Sequence, residues 1–301
     1  MRPGILVVYL VGDEDAALLD LHLAQIRRCT SVPYTIFAAT NRLSPRLRGK
    51  LQQYPEVKVC DCPDTDLRGR DEHAYYLEYL TRTAIADGVT HLVTLHVDSF
   101  PIAEGWERQL AEKVSNGCAF AVMDHKYTAC LFFTREFYLR HRPEYRVSRE
   151  EAATPAFRQL EEEERFSGDS GIGFLLKART AGLGWHVMRR TAADDDGFGE
   201  VHDGLMFHFG GAARMAQEPV AYLRYTNVQV GCIRLLRAAM RLCPRPLADK
   251  LRARHPRLNE WLAVKHHRVH AAQAAARLKR KLLSDPAAYL RKLQRNSPRC
   301  A

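Results

Sequence analysis

Along the first 190 residues, short apolar-rich runs alternate with stretches whose apolar residues recur at helical spacing. Ile5 to Val11, Tyr34 to Ala39, Val57 to Cys60 and Val89 to Val97 are of strand length and mostly apolar. Between them, Ala16 to Cys29 sets Leu18, Leu19, Leu21, Leu23 and Ile26 on a helix face, and Leu47 to Tyr54 is a shorter helix. Asp71 to Asp87 opens with two acids and has Gly88 just past its end, as a helix between a favourable dipole end and a C-terminal stop. Strictly alternating strands and helices, with strands apolar on both faces, predict an α/β fold built on a central, mostly parallel sheet.

Past Pro101 the pattern predicts a helix over Glu104 to Val114 closed by Asn116-Gly117, a strand over Cys118 to Met123 and a further apolar segment over Ala129 to Thr134. Glu150 to Arg165 reads as a peripheral helix with a solvated acidic face. Asp169 to Ala181 reads as a helix, Trp185 to Arg189 as a strand, and Leu205 to Gly211 as a short apolar segment ending in two glycines. From Cys232 onwards the spacing is helical, with Arg234, Arg237 and Arg241 on one face. The expected organisation is an α/β domain over 1–225 and a basic helical extension over 226–301.

Charge sharpens that division. The formal net charge of +10 hides a surplus of 15 positive charges after residue 230, where 18 Lys and Arg face 3 Asp and Glu. Residues 1–230 carry a net −5, which argues against nucleic acid as a partner of the main domain. Arg234, Arg237 and Arg241, with Lys279-Arg280-Lys281, suit either an amphipathic segment on an anionic membrane surface or a helical cap with a solvated cationic face. The run from Ile5 to Val11 is too short to span a bilayer. The eight cysteines are scattered, without zinc or redox spacing, so reduced thiols in a cytoplasmic protein are expected.

The stretch Thr90 to Leu110 joins a buried-strand pattern to His96 and Asp98 and then to a helix start. Carboxyl ends of strands are where open α/β sheets bind ligands. His96 and Asp98 are expected to share a face at the strand's end, where an imidazole nitrogen and a carboxylate oxygen would suit a divalent cation. His208, in Met206-Phe207-His208-Phe209-Gly210-Gly211, ends another short apolar segment. The same residues also suit a hydrogen-bonded core histidine and a strand-end carboxylate.

The sequence LVTLHVDSFPIAEGW resembles the central motif of GT-A glycosyltransferases, in which a strand ends in Asp-x-Asp, a proline follows and Gly-Trp opens the next helix. Here His96-Val97-Asp98, Phe100-Pro101 and Gly105-Trp106 stand at those places, with His96 replacing the first acid. FSGDSGIGFLLKARTAGLGWHV is similar to the segment carrying the catalytic base of inverting members, with Asp169 at that position; Asp169 is also a natural helix N-cap. LMFHFGGAAR is similar to the late segment in which a histidine completes the metal shell.

The resemblance, to bacterial family 2 enzymes in particular, implies a GT-A-like nucleotide-binding fold and an inverting glycosyltransferase. Its metal would sit at His96, Asp98 and His208, as Mn2+ rather than Mg2+. Its donor would be a nucleotide sugar, touching Val11, Asn41, Arg70, Asp98 and Arg214, and its acceptor a hydroxyl on a glycan, lipid-linked or small molecule. The basic tail would hold it peripherally on the inner face of the membrane. Trp106 and Tyr127 are candidates for an acceptor groove, although a Trp one turn into a helix is more often a packing residue, and His73 is expected to be an ordinary helix residue. Two rivals are a nucleotidyltransferase, which the acidic Asp13-Glu14-Asp15 turn disfavours at the triphosphate position, and a non-catalytic adaptor working through its tail.

Overall fold

The computed structural model describes residues 1–124, 127–164, 170–194, 198–209 and 276–295. Residues 1–210 and 282–301 form one compact unit, and residues 211–281 another.

The first unit is built on a seven-stranded mixed sheet. Its strands are β1 (Pro3–Val8), β2 (Thr35–Ala39), β3 (Val57–Cys60), β4 (His91–Leu95), β6 (Cys118–Met123), β7 (Cys130–Thr134) and β8 (Gly184–Met188), in the order β3-β2-β1-β4-β7-β6-β8. All run parallel except β7, which is antiparallel to both of its neighbours. β1 lies between β2 and β4, and all six of its residues are buried, which is why its sequence is apolar without alternation. Leu6 and Val8 belong to a core shared with Ala74, Leu77, Leu80 and Ala84 of α3 (Arg70–Ala86). The chain winds outward from β1 to β3 and then crosses to β4, so the switch point lies between β1 and β4.

A second, four-stranded antiparallel sheet has the order β5-β11-β10-β9, from β5 (Ser99–Pro101), β9 (Arg190–Ala193), β10 (Glu200–His202) and β11 (Met206–His208). The sequence pattern missed β9 and β10, which are too short and polar to show a period. One signal was present: Asp203-Gly204, both at positive φ (49° and 68°), makes the tight turn from β10 to β11. That dipeptide favours tight hairpin turns because both positions tolerate the left-handed region, and here the Leu205 N–H closes the turn on the His202 carbonyl at 2.9 Å.

Three further expectations change. The central strand ends at Leu95 rather than Val97, because His96 to Asp98 turn the chain from β4 into β5. The acidic helix expected over 150–165 is two helices, α6 (Arg149–Ala152) and α7 (Pro155–Glu164). Pro155 disfavours helical geometry at Thr154, whose hydroxyl instead accepts the Phe157 N–H at 3.3 Å. The helix expected from Asp169 begins, in the described residues, at Ile172 as α8 (Ile172–Thr180).

The boundary expected near Tyr225 lies outside the described residues. The last helix, Pro286–Arg295, belongs to the compact unit formed with residues 1–210, although the charge pattern groups it with the extension. Leu290 and Leu293 are buried, Tyr289 donates to Asp194 at 2.9 Å, and its ring packs edge-on against Phe207. No described helix is long and apolar enough to cross a membrane. The five described cysteines form no disulfide.

On α1 (Ala16–Cys29), His22 is fully buried against Tyr9, and neither ring nitrogen completes a hydrogen bond. Burial lowers its pKa from 6.5 to about 3, with the nearby backbone of Ser99 and Val97 opposing only part of the shift. The folded value lies below the unfolded one. Between pH 6.5 and about 3 the unfolded chain therefore takes up a proton that the folded chain does not, and stability falls as pH drops through that window. From pH 6.5 to 4, His22→Leu should gain about 3 kcal/mol on the wild type. Urea unfolding at several pH values checks this, and a pH-independent difference would mean that His22 keeps its ordinary pKa.

Candidate metal centre

The turn from β4 into β5 is the hinge between the two sheets, and its own hydrogen bonds hold it. Ser99 donates its backbone N–H to the His96 carbonyl at 3.0 Å, while its hydroxyl accepts the His96 N–H at 2.9 Å. His96 and Asp98 therefore meet through a turn, rather than by alternation along a strand. The His96 Nδ1 lies 3.9 Å from Asp98 Oδ1.

His208 is more than a hundred residues away in the chain, and strand pairing delivers it. β11 pairs with β5 so that His208 stands opposite Ser99, and the Phe209 N–H continues the ladder to the Asp98 carbonyl at 2.9 Å. One ligand atom from each of His96, Asp98 and His208 then falls within 4.8 Å of the others. Asp98 and His208 are buried, while the His96 side chain is 31% exposed, so the cluster opens to solvent through His96. Two imidazoles and a carboxylate at this spacing suit a divalent transition metal.

The other expected residues are placed differently. Val11 is buried just past the end of β1. The Asn41 amide donates to the Cys62 carbonyl at 2.8 Å and to Asp64 at 3.2 Å, bracing the loop after β3. Arg70 is exposed at the start of α3, one turn before His73 and on the same side of the helix. Asp169 and Arg214 lie outside the described residues.

Neither aromatic candidate is available to an acceptor. Trp106 is fully buried, with its indole N–H on Thr30 at 3.1 Å, and Tyr127 is buried as well. Both are packing residues.

His73 is more than the ordinary helix residue expected. Its ring meets that of His96 edge-on, with centroids 5.0 Å apart, and its Nδ1 lies 3.4 Å from the Ser170 hydroxyl. The His96 Nε2 lies 3.1 Å from Thr128 Oγ1, which is itself 3.0 Å from Ser170 Oγ. Thr128 and Ser170 went unremarked in the sequence because nothing local marks them. They come from segments that only the fold brings beside β4.

No protein-family model and no curated protein matches the chain. Many solved structures are similar to part of it, among them the following two. Mouse xyloside xylosyltransferase 1 aligns over 62% of this chain and 85% of its own, with a TM-score of 0.36 and 12% identity. A protein from Desulfovibrio desulfuricans G20, provisionally described as a nucleotide-diphospho-sugar transferase, aligns over 62% and 79%, with a TM-score of 0.39 and 14% identity.

Proposed function

We propose that this chain is a metal-dependent, inverting glycosyltransferase that moves a sugar from a nucleotide-diphosphate donor to a hydroxyl acceptor. The observation that carries the reading is the meeting of His96, Asp98 and His208 beside the switch point of the sheet. A divalent cation held there would supply charge neutralisation for a departing diphosphate. Two nitrogen donors favour Mn2+ over Mg2+, which prefers oxygen ligands.

The chain's own residues would do the rest. Asp169 would take the acceptor hydroxyl's proton as that oxygen bonds to the anomeric carbon, and the bond to the diphosphate would break with its electron pair leaving on the diphosphate oxygen. Arg214 would offer positive charge to the departing diphosphate. Val11, Arg70 and the loop braced by Asn41 would meet the base of the nucleotide. Acceptors would be glycans, lipid-linked sugars or small molecules, with the basic tail holding the enzyme on the cytoplasmic side of an anionic membrane.

Release of nucleoside diphosphate from a panel of nucleotide sugars, with Mn2+, with Mg2+ and without metal, tests the proposal. One donor should be consumed, faster with Mn2+. If no donor binds or turns over, and Asp98→Ala matches the wild type, the reading is wrong and the adaptor alternative takes its place.

A further inference from the structure

We propose that Thr128, Ser170 and His73 are positioning residues, a hydrogen-bond chain that turns His96 to present its Nδ1 to a divalent metal. The inference rests on the metal reading above and extends it to residues that do not themselves ligate.

The chain runs from His96 Nε2 to Thr128 Oγ1 (3.1 Å), on to Ser170 Oγ (3.0 Å) and then to His73 Nδ1 (3.4 Å). Thr128, Ser170 and His73 are all buried. Each hydroxyl has one proton to give and can accept another, so the chain has a direction. Run outward, His96 donates its Nε2–H to Thr128, Thr128 donates to Ser170, and Ser170 donates to His73. The lone pair of His96 is then on Nδ1, the nitrogen beside Asp98. Run inward, Nδ1 carries the hydrogen and cannot ligate. A cation at Asp98 therefore selects the outward direction, and the chain in turn fixes the tautomer and angle of His96, as partners of ligating histidines generally do.

The fold makes room for this arrangement. Gly171 has φ +97°, and an added Cβ would lie 3.1 Å from the Tyr127 Cβ and 3.2 Å from the Thr128 Cγ2. The absence of a side chain at 171 lets Ser170 come against Thr128. The edge-on His73 ring, at an interplanar angle of 86°, restricts rotation of His96 about its other axis. These contacts tie together α3, the turn before β7 and the start of α8, which also share one hydrophobic core through Ala74, Tyr127 and Ile172.

The test is Mn2+ binding, titrated with manganese chloride alone and followed by electron paramagnetic resonance of free and bound ion, with nitrogen coupling to the bound ion read by spin-echo modulation. Thr128→Val keeps the shape and removes the hydroxyl, so the Mn2+ dissociation constant should rise about tenfold or more and the His96 nitrogen coupling should weaken. Thr128→Ser restores the hydroxyl and should bind within about twofold of wild type. Ser170→Ala breaks the outer link alone and should weaken binding less than Thr128→Val does. If both Thr128→Val and Ser170→Ala, folded by circular dichroism, bind Mn2+ with wild-type affinity and coupling, the chain has no positioning role while the metal site stands. If wild type binds Mn2+ no better than Asp98→Ala, the metal reading fails and this one falls with it. Should Thr128→Val not fold, Ser170→Ala and Thr128→Ser decide the matter by the same comparison.

Discussion

Asp98→Asn is expected to abolish measurable Mn2+ binding and to lower sugar transfer by about a thousandfold, the several kcal/mol that a bound cation supplies to a developing charge. Asparagine matches aspartate in shape, so the turn it stands in should persist. That turn is held by Ser99 and by the Phe209 N–H on the backbone carbonyl of residue 98, neither of which uses the carboxylate. What is lost is the anionic ligand between two imidazoles. Calorimetric titration of Mn2+ and nucleoside diphosphate release, measured on the same preparation, check the two halves of the expectation. Full activity in Asp98→Asn would remove the cluster from the chemistry.

Gly173→Ala should be the most destabilising single-methyl change in the described part of α8. A Cβ at 173 would sit on the Glu144 carbonyl oxygen, with the Glu144 carbonyl carbon at 3.1 Å and the Arg146 oxygen at 3.3 Å. These are backbone atoms and cannot swing aside as a flexible side chain would. The helix cannot retreat either, because the Gly171 N–H is bound to the Tyr145 carbonyl at 2.7 Å and Phe174 packs among Tyr145, Phe133 and Phe120. Overpacking of this kind costs about 3 kcal/mol, which for a unit of this size lowers Tm by about 6 °C. Gly49→Ala is the contrast. Gly49 lies inside the helix Pro45–Leu51, nothing is within 4 Å of an added Cβ, and alanine there should stabilise by about 0.5 kcal/mol. Differential scanning calorimetry of the two variants separates a crowded glycine from a merely flexible one, and a Gly173→Ala that melts with the wild type would refute the packing.

The candidate site was only partly legible in the chain. His96 and Asp98 could be singled out because they end a strongly apolar run, and strand ends in α/β sheets face ligands. His208 could be singled out by its motif, but its approach to the other two depends on β11 pairing with β5 in one register, His208 opposite Ser99. A slip of one residue would turn His208 to the other face. His73 was expected to be ordinary because one helical histidine carries no mark of what lies beside it. Tyr127 could be read as a groove aromatic by type, and burial made it a core residue; for Trp106, one turn into a helix, burial decided between groove and packing in favour of packing.

By itself the sequence determined the strand and helix alternation of the first half, since the demand to bury both faces of β1, β2 and β4 is written as apolar-rich runs of strand length. It also determined where charge accumulates. The tertiary structure alone decided where β4 stops, that α6 and α7 are separate, that Pro286–Arg295 returns to the unit formed with residues 1–210, and which hydroxyls reach His96. The physical reason is range. Periodicity and turn chemistry act between residues a few positions apart, whereas the contact of Thr128 with His96 and of His208 with Asp98 exists only once loop closure has been offset by the burial of the sheets between them.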